Sequence, residues 1–394
     1  MTEVRATPLW TTRGIVVARL SLVSFRSYDA VEVRFPEGPQ VVVGDNAAGK
    51  TNLVESLVAV GTGHSHRAGM DGEMIAWGAD FTRVEVDLAS AVVGSETRLE
   101  MVIARTSAGG GRKRVAVNGV ARRPQALGEA FPVVLFAPED MQLIVGSPSS
   151  RRASIDTLVA QTVPASSATM ANYSRALTQR NNLLRSIREG LAAPDELRFW
   201  DAVVIDDGSR IVDWRREALA RLAGPLADAH AEIAPDEAPL TLSYVSKETP
   251  GPDETTRDAI RRRLSETAEK EQWNGQTLVG PHRDDVAFVS AGRDLSGFAS
   301  RGQQRTAILA FKFATLELLR SAHGRPPLLL LDDVFSELDP QRRAHLVRRI
   351  GELPQTFVTT TTTDDLDPAL VAAATVWHVT PGHLQRAGAT GDAL

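Results

Sequence analysis

The sequence of 394 residues predicts an α/β fold with a mainly helical domain inserted in it, on three observations. A glycine-rich loop at residues 44–51 joins a short apolar run to a segment with apolar residues at helical spacing, as a strand, a phosphate-binding loop and a helix do. Four consecutive leucines at 328–331 are typical of a parallel strand buried on both faces. Residues 148–275 are patterned mainly as helices. We therefore expect a discontinuous α/β domain, residues 1–147 and 276–394, around a helical insertion.

The composition is that of an ordinary globular protein, with 43% hydrophobic and 24% charged residues. A net charge of −5 gives no overall basic signature, so any surface for nucleic acid must be local. The absence of cysteine excludes disulfides and thiolate metal sites and agrees with a cytoplasmic protein. No apolar run approaches the roughly 20 residues that span a bilayer, so we expect no membrane partner. Residues 1–13 lack an apolar core and predict a loose extension, not a secretory signal.

The first elements are predicted to be strands. Apolar and β-branched runs at 15–22 and 31–35 predict a hairpin, broken at 26–29, that leads to the strand before the glycine-rich loop. A second β region contains runs at 84–88, 98–104 and 114–117, and its last hairpin turns at Asn118-Gly119. Residues 133–136 predict one more buried strand.

Prolines interrupt the helical insertion, at Pro164, Pro194, Pro225, Pro235 and Pro239. Because proline ends or kinks helices, we expect a compact set of helices there instead of a long coiled coil, with one strand near Tyr244. After residue 276 the α/β pattern returns, with late strands near Phe357 and Val376. Residues after Pro381 predict a mobile tail.

The glycine-rich loop carries the strongest chemical signal in the chain. Its residues fit the eight-residue phosphate loop and are Gly44, Asp45, Asn46, Ala47, Ala48, Gly49, Lys50 and Thr51. Backbone N–H groups at a helix start near Gly49 bind phosphate, and the helix dipole favours its charge. We expect Lys50 to reach the β- and γ-phosphates and the Thr51 hydroxyl to hold Mg²⁺. The sequence therefore predicts a nucleoside triphosphate site.

Two aspartates directly follow the four leucines. Asp332, at the end of a buried strand, is suited to hold Mg²⁺, and Asp333 to orient or deprotonate an attacking water. The alternative is that both are solvated residues after a core strand. A phosphate loop needs an acidic partner of this kind, which favours the functional interpretation.

A second helix start has the residues of an anion site. Ser300, Gly302 and Gln303 precede the apolar helix predicted at 306–319. One chain cannot easily present two helix starts to one γ-phosphate from opposite sides, so the motif indicates a nucleotide held between two copies. The alternative is an ordinary helix cap.

Around a helical insertion, these motifs resemble the ABC-type P-loop ATPase head of SMC-like proteins. Shorter matches narrow the resemblance to one group of these proteins, the RecF family. The matching residues are Ser24–Tyr28, Gly44–Asn46, Lys50–Asn52 with Glu55, His66-Arg67, Phe136–Asp140, Ser147-Pro148 with Arg151-Arg152, Leu278–Asp285 and Ser300–Thr306. The resemblance covers nearly the whole chain and implies an ATPase head with a helical lid domain at 148–275.

The resemblance also implies a function. It implies a protein that binds ATP, Mg²⁺ and double-stranded DNA, closes as a homodimer on ATP and reopens by slow hydrolysis. With RecR and RecO it would promote RecA loading where duplex meets single-stranded DNA, in DNA repair and replication restart. Lys50, Thr51 and Asp332 would be the phosphate and magnesium ligands. Asp333 would be the catalytic carboxylate, and Ser300 and Gly302 would be the motif supplied by the second copy.

The sequence departs from the ABC-type pattern at several positions. Ala47 stands where such loops often have glycine, and Arg301 replaces the first glycine of the signature motif. No histidine follows the last core strand, where Thr359–Thr363 stands instead, so one of those hydroxyls is expected to contact the γ-phosphate. The glutamine-loop position falls on Glu139 or Gln142.

A basic cluster flanks the Asn118-Gly119 hairpin and is formed by Arg112, Lys113, Arg114, Arg122 and Arg123. Such a ribbon suits the duplex backbone, although a solvated hairpin is the ordinary alternative. Arg151-Arg152 and Arg261–Arg263 are weaker alternatives for the DNA contact. Aromatic residues, at 5%, are too few and scattered to predict a stacking platform for single strands.

The sequence distinguishes among three rival functions. An SMC-like ATPase tied to a nuclease needs an acidic metal-binding module after the ATPase, and a transporter subunit needs an intact signature and a switch histidine. Neither pattern is present. An architectural DNA clamp that binds ATP without turnover stays open as the alternative function.

Overall fold

The structure, a computed structural model, describes residues 14–90, 96–106 and 110–388. The predicted extension at 1–13 and the end of the predicted tail, 389–394, lie outside these ranges. The described chain forms two compact units. The first contains the residues up to Asp140 and those from Leu309 onward, and the second is Met141–Ile308.

The strands of the described residues are β1 Ile15–Phe25, β2 Tyr28–Arg34, β3 Gly38–Val43, β4 Phe81–Ser90, β5 Glu96–Arg105, β6 Gly111–Val117, β7 Val120–Arg122, β8 Val133–Phe136, β9 Leu240–Val245, β10 Asp285–Ser290, β11 Arg293–Asp294, β12 Leu328–Asp332, β13 Gln355–Thr360, β14 Thr375–Thr380 and β15 His383–Arg386. The α-helices are α1 Lys50–Thr62, α2 Gln125–Ala130, α3 Gln142–Val145, α4 Pro148–Thr162, α5 Ser166–Arg188, α6 Arg198–Ile233, α7 Thr256–Asn274, α8 Leu295–Phe298, α9 Arg301–His323, α10 Pro340–Gly351 and α11 Pro368–Ala373. Short 3₁₀ turns complete the described elements.

The first unit is built on two six-stranded sheets. One is antiparallel, in the order β2-β1-β4-β5-β6-β7, and begins with the predicted hairpin. The other has the order β15-β14-β3-β13-β12-β8, and all its pairs are parallel except that of β14 with β15. The four leucines of β12 are buried between β13 and β8, as the sequence predicts for a central strand.

Helix α1 joins the two sheets through one apolar core. Its side chains from Leu53 to Val60 are buried all round the helix, as expected of a helix covered on opposite sides. Leu53 and Leu57 belong to the same core as Leu20 and Val86 of the antiparallel sheet and Phe357 of the parallel one. This packing fixes the start of α1, and therefore the phosphate loop, against the carboxyl edge of the parallel sheet.

The second unit contains the helical insertion and a three-stranded sheet, β11-β10-β9. Its boundaries differ from those predicted at 147/148 and 275/276, because β10 pairs antiparallel with β9 and so joins residues 285–290 to the insertion. The unit has its own apolar core, around Tyr173, Val204 and Ile260. No helix in the part of the chain that the structure describes is both long and apolar enough to cross a membrane.

Two expectations from proline were wrong. Helix α6 continues through Pro225, because Leu222 and Leu226 are fully buried on either side and their packing outweighs the lost hydrogen bond. Pro381 does not begin a mobile tail, since it opens a turn into β15, which pairs with β14.

Candidate nucleotide-binding site

The phosphate loop leaves β3 at the carboxyl edge of the parallel sheet, where ligands of open α/β sheets bind. The backbone N–H of Gly44 donates to Thr360 O at 3.3 Å. A Cβ atom there would lie 2.5 Å from Val379 O, so only glycine fits. Gly49 has a φ of 116°, which glycine adopts without strain, and its carbonyl accepts the Tyr28 hydroxyl at 3.0 Å.

Lys50, the first residue of α1, lies back across the loop. Its Nζ donates to Gly44 O at 2.7 Å and to Asp45 O at 3.0 Å, and the side chain is buried. Asp45, Asn46 and Ala47 form the exposed rim of the loop, whereas Ala48 is buried beneath it. Ala47 has a φ of 66°, so a non-glycine residue adopts the left-handed backbone at this position. The ammonium group is thus held in the loop by two backbone carbonyls, and its positive charge suits an anion.

Two aspartates and a threonine meet on neighbouring strands beside the loop. Asp332 ends β12, is buried, and accepts the Thr359 hydroxyl at 2.5 Å on Oδ1. The backbone N–H of Asp333 donates to the Thr359 hydroxyl at 3.0 Å, and Asp333 has a φ of 53°. Thr359 lies on β13, between β12 and the strand that enters the loop. Its hydroxyl therefore links the Asp332 carboxylate to the backbone of Asp333. The γ-phosphate contact expected of one hydroxyl at 359–363 remains a prediction.

The magnesium ligands proposed from the sequence fit the chemistry of that ion. Mg²⁺ prefers hard oxygen ligands, and Asp332 and Thr51 supply a carboxylate and a hydroxyl. Within the described residues, the half-buried hydroxyl of Thr51 makes no hydrogen bond to the protein. Asn52, the next residue, instead donates to the Ser27 hydroxyl at 2.9 Å and so braces the start of α1.

A buried ion pair supports the loop from behind. Glu55 of α1 is fully buried and accepts Arg26 Nε at 2.9 Å and Arg26 Nη2 at 2.6 Å. Ser65 donates to the same carboxylate at 2.5 Å, and Arg67 lies 3.7 Å from it. Burial by itself would raise the pKa of Glu55, but the hydrogen bonds from Arg26 and Ser65 outweigh it, so its pKa lies below the usual range. In the sequence, Arg26, Glu55 and Arg67 stand out only as matches to the family, and the fold brings them together with Ser65.

Replacing Arg26 with alanine is expected to destabilise the protein by about 3 kcal/mol at neutral pH, because it leaves a buried carboxylate without its main partner. Without Arg26 the burial of Glu55 raises its pKa, so protonation relieves the variant as the pH falls. The wild type instead loses the contribution of Glu55 as the pH falls below about 4.5, its ordinary pKa. The difference in unfolding free energy should therefore shrink between pH 7 and pH 4.

Urea denaturation at several pH values measures this difference. Arg34→Ala, at an exposed position of β2, is the matched control and should change stability by less than about 0.5 kcal/mol. A loss in Arg26→Ala that is the same at every pH would contradict the assigned ion pair.

His66 lies beside this cluster with both ring nitrogens buried and without a hydrogen-bond partner among the described residues. Burial lowers its pKa, although the charges of Glu55 and Glu139 oppose the shift. The ring is therefore neutral at physiological pH. Glu139, one of the two residues suggested for the glutamine loop, is thus close to the site, while Gln142 belongs to the second unit. The glutamine-loop residue remains a prediction.

The second predicted anion motif lies in the second unit, at the start of α9. The backbone N–H of Gln303 donates to the Ser300 hydroxyl at 3.2 Å, and Gln303 Oε1 accepts the backbone N–H of Ser300 at 3.0 Å. This reciprocal pair of hydrogen bonds is a capping box, so Ser300 caps the helix, as the alternative interpretation of the motif predicted. A cap and an anion site use the same helix start, and the contribution of Ser300, Gly302 and Gln303 to a nucleotide remains a prediction.

The run of residues 280–285 ties together the second unit. Pro281 O accepts Arg215 Nη1 at 2.7 Å, and His282 Nδ1 lies 2.7 Å from the Tyr173 hydroxyl. The Asp285 carboxylate forms a bidentate salt bridge with the Arg151 guanidinium, in which both N–O distances are 2.8 Å. Burial lowers the pKa of His282 to about 4, which keeps the ring neutral. This part of the Leu278–Asp285 match to the family therefore has a structural role within this unit.

The basic cluster predicted to bind DNA is divided by the fold. Lys113 points inward and pairs with Asp71 at 3.0 Å. Arg112, Arg114, Arg122 and Arg123 are exposed, and no carboxylate of the described residues pairs with them. The weaker alternatives are satisfied internally, since Arg151 pairs with Asp285 and residues 261–263 pair with acidic neighbours on their own helix and the preceding turn.

Comparison with known proteins agrees with this geometry. A family model described as the RecF/RecN/SMC N terminal domain matches residues 16–383. The DNA replication and repair protein RecF of Symbiobacterium thermophilum is 40% identical over 361 residues, which are 89% of this chain and 92% of the relative.

Solved structures agree as well. One of the recombination mediator protein RecF-ATP in the RecFOR pathway has a TM-score of 0.84, 27% identity, and coverage of 95% of this chain and 98% of its own. An Smc head bound to the C-winged helix domain of ScpA, 16% identical with a TM-score of 0.52 over 94% of this chain and 96% of its own, shares the fold. With a loop and paired aspartates at the carboxyl edge of such a fold, the chain belongs to the RecF family of DNA replication and repair proteins, among the SMC-like ABC-type ATPases.

Proposed function

We propose that this protein is an ATP-dependent DNA-binding recombination mediator of the cytoplasm. It binds ATP and Mg²⁺, closes as a homodimer on duplex or gapped DNA, and reopens by slow, DNA-dependent hydrolysis. It thereby promotes RecA loading with RecR and RecO at junctions of single- and double-stranded DNA. The observation that carries the proposal is the arrangement of Lys50, Asp332 and Asp333 around the phosphate loop, in a chain of this family.

The chemistry follows from the positions of these side chains. The Lys50 ammonium moves from two backbone carbonyls to the β- and γ-phosphates, and the loop N–H groups hold the same oxygens. Mg²⁺, held by Thr51 and Asp332, would neutralise charge on the phosphates. Asp333 orients the attacking water and accepts its proton. The Thr359 hydroxyl holds the Asp332 carboxylate and the backbone of Asp333 in place.

The proposed dimer shares the nucleotide between two copies. The motif at Ser300, Gly302 and Gln303 begins a helix of 23 residues, whose N-terminal dipole favours an anion. In the proposed dimer this helix start of one copy faces the γ-phosphate bound by the other. ATP then stabilises the dimer, and hydrolysis weakens it.

The first test is DNA binding by the purified protein with ATP, with ADP and without nucleotide, while the oligomer mass is followed in the same samples. Binding and dimerisation that rise together only with ATP support the proposal. A protein that ignores DNA in every nucleotide state contradicts it. Dimerisation and DNA binding with ATP but without turnover would instead support the architectural clamp, which an intact Asp332–Asp333 pair disfavours.

Reversing the charges of Arg112 and Arg114 to glutamate is expected to weaken duplex binding and to reduce its salt dependence. Both side chains lie exposed on β6 without acidic partners among the described residues, so they are free to neutralise phosphates. Each lost phosphate contact lowers the slope of log affinity against log salt by about 0.9. Fluorescence anisotropy on a labelled duplex, at salt concentrations from about 50 to about 300 mM, measures the change in this slope.

The matched control reverses Arg198 and Arg221, two exposed arginines of α6 in the second unit. The control should keep the wild-type slope. If the Arg112 and Arg114 variant keeps that slope as well, the duplex contacts lie elsewhere.

A further inference from the structure

Two buried nitrogen atoms close to the phosphate loop have no hydrogen-bond partner. They are Nδ1 and Nε2 of His66, and neither makes a hydrogen bond to any group in the part of the chain that the structure describes. An unpaired buried polar atom destabilises a protein, and a native protein that retains one commonly pairs it with a ligand, an ion or an ordered water molecule. A ring with both nitrogens unpaired therefore indicates that a further group binds beside it.

The backbone on both sides of His66 is fixed against the start of helix α1. The Ser65 hydroxyl donates to the Glu55 carboxylate at 2.5 Å and accepts the backbone N–H of Arg67 at 2.9 Å. Arg67 Nη1 in turn donates to Asn52 Oδ1 at 3.3 Å. Asn52 and Glu55 belong to the first two turns of α1, so His66 is held next to the helix start that follows the phosphate loop.

Neighbouring carboxylates show which side of α1 the ring occupies. Burial lowers the pKa of His66, and the charges of Glu139 and Asp332 are among those that oppose the shift. Because the interaction between charges weakens with distance, both carboxylates lie near the ring. Glu139 comes just after β8 and Asp332 ends β12, and these two strands are parallel neighbours. The ring therefore lies at the carboxyl edge of the sheet, on the side of Asp332.

We propose that the His66 ring binds the γ-phosphate of ATP by donating a hydrogen bond to one of its oxygens. This inference rests on the proposed function, in which Mg²⁺ beside Asp332 bridges the β- and γ-phosphates, and it adds a residue that distinguishes ATP from ADP. The lowered pKa keeps the ring neutral at physiological pH, so one nitrogen donates and the other accepts a hydrogen bond from water. A phosphate oxygen is a charged acceptor, which makes this hydrogen bond one of the stronger kind.

The test uses His66→Phe in the full-length protein, because phenylalanine keeps a flat ring and has no polar atoms. Without nucleotide, the midpoint of urea unfolding should stay the same or rise, since two unpaired polar atoms are replaced by apolar ones. With Mg²⁺, the affinity for a slowly hydrolysed ATP analogue should fall about tenfold or more, as expected when a hydrogen bond to a charged group is lost. The affinity for ADP, which lacks the γ-phosphate, should stay within about twofold.

Two further variants test whether a donor is what the site requires. The side-chain amide of His66→Asn places an N–H group near the position of Nδ1, and that of His66→Gln places one near Nε2. One of the two should recover part of the affinity for the ATP analogue. His383→Phe is the matched control, because His383 is exposed on β15, and it should leave both affinities unchanged.

Nuclear magnetic resonance observes the ring directly, since the chain has eight histidines. In protein labelled with ¹³C at Cε1 of histidine, the signal that is missing from His66→Gln belongs to His66. In the wild type this signal should shift when the ATP analogue binds and should shift much less with ADP. This measurement decides the question even if His66→Phe does not fold.

The outcomes separate this inference from the proposed function. If the wild-type protein binds no ATP, the proposed function fails. If it binds ATP and His66→Phe weakens the ATP analogue and ADP equally, only the present inference is overturned, because the ring then acts through the shape of the loop. Unchanged affinities for both nucleotides, a lower unfolding midpoint without nucleotide, or a His66 signal that responds equally to both nucleotides would also overturn it.

Discussion

Replacement of Lys50 by alanine is expected to abolish ATP binding and, with it, ATP-dependent dimerisation. The Lys50 ammonium is buried in the loop and held by two backbone carbonyls, which it exchanges for the β- and γ-phosphates in the proposed complex. Hydrogen bonds to a charged group contribute about 1.5–3 kcal/mol each, and two of them correspond to a loss of more than about 100-fold in affinity. Calorimetry with ATP and Mg²⁺ measures binding, and light scattering measures the mass of the assembly.

Lys270→Ala is the control, because Lys270 is an exposed lysine of α7 and should leave both measurements unchanged. The two measurements together test the sharing of the nucleotide. If Lys50→Ala no longer binds ATP and still dimerises when ATP is added, the nucleotide does not join the two copies.

The parts of the site that lie along one stretch of chain were predictable. The phosphate loop is a run of neighbouring residues between a buried strand and a helix, and the Asp332-Asp333 pair follows a buried strand directly. Both form as expected. The strand order that brings them to one edge does not follow from the apolar runs, because β13, the last of the three strands in the chain, lies between β3 and β12.

The residues that complete the site were hidden because strand pairing and helix packing bring them in. Thr359 was one of five candidate hydroxyls, and only the register of β13 against β12 places it between the two aspartates. Arg26 reaches Glu55 because a hairpin turn, with Arg26 at a φ of 52°, faces helix α1. No periodicity of the sequence encodes either meeting.

Proline illustrates the limit of local propensity in the rest of the fold. Pro225 breaks a helix only if nothing else holds the turn, and buried leucines hold it. Pro381 predicts the start of a loose end, but the strand after it pairs with the edge of β14, the strand just before it. Burial outweighs the local signal at Pro225, and hairpin pairing outweighs it at Pro381.

Replacing Asp333 with asparagine is expected to lower ATP hydrolysis about 100- to 1000-fold while ATP still binds. Asparagine tolerates the left-handed backbone that Asp333 adopts at a φ of 53°, so the variant removes the charge and keeps the loop. The backbone hydrogen bond to Thr359 is unaffected, and Lys50 and Asp332 keep their partners. Because proton acceptance from water is lost, the ATP-bound dimer should persist on DNA far longer than in the wild type.

Single-turnover hydrolysis and the dissociation of the dimer from labelled duplex measure the two effects, with Asp228→Asn on the exposed face of α6 as the control. Slow hydrolysis coupled to a long-lived complex identifies Asp333 as the group that lets the dimer reopen. An unchanged rate of hydrolysis would remove Asp333 from the catalytic step. Wild-type protein without turnover, whose complex is as long-lived as that of the variant, would instead favour the architectural clamp. Comparing this variant with the wild type therefore distinguishes the ATP-hydrolysing mediator from the architectural clamp, which the phosphate loop by itself does not.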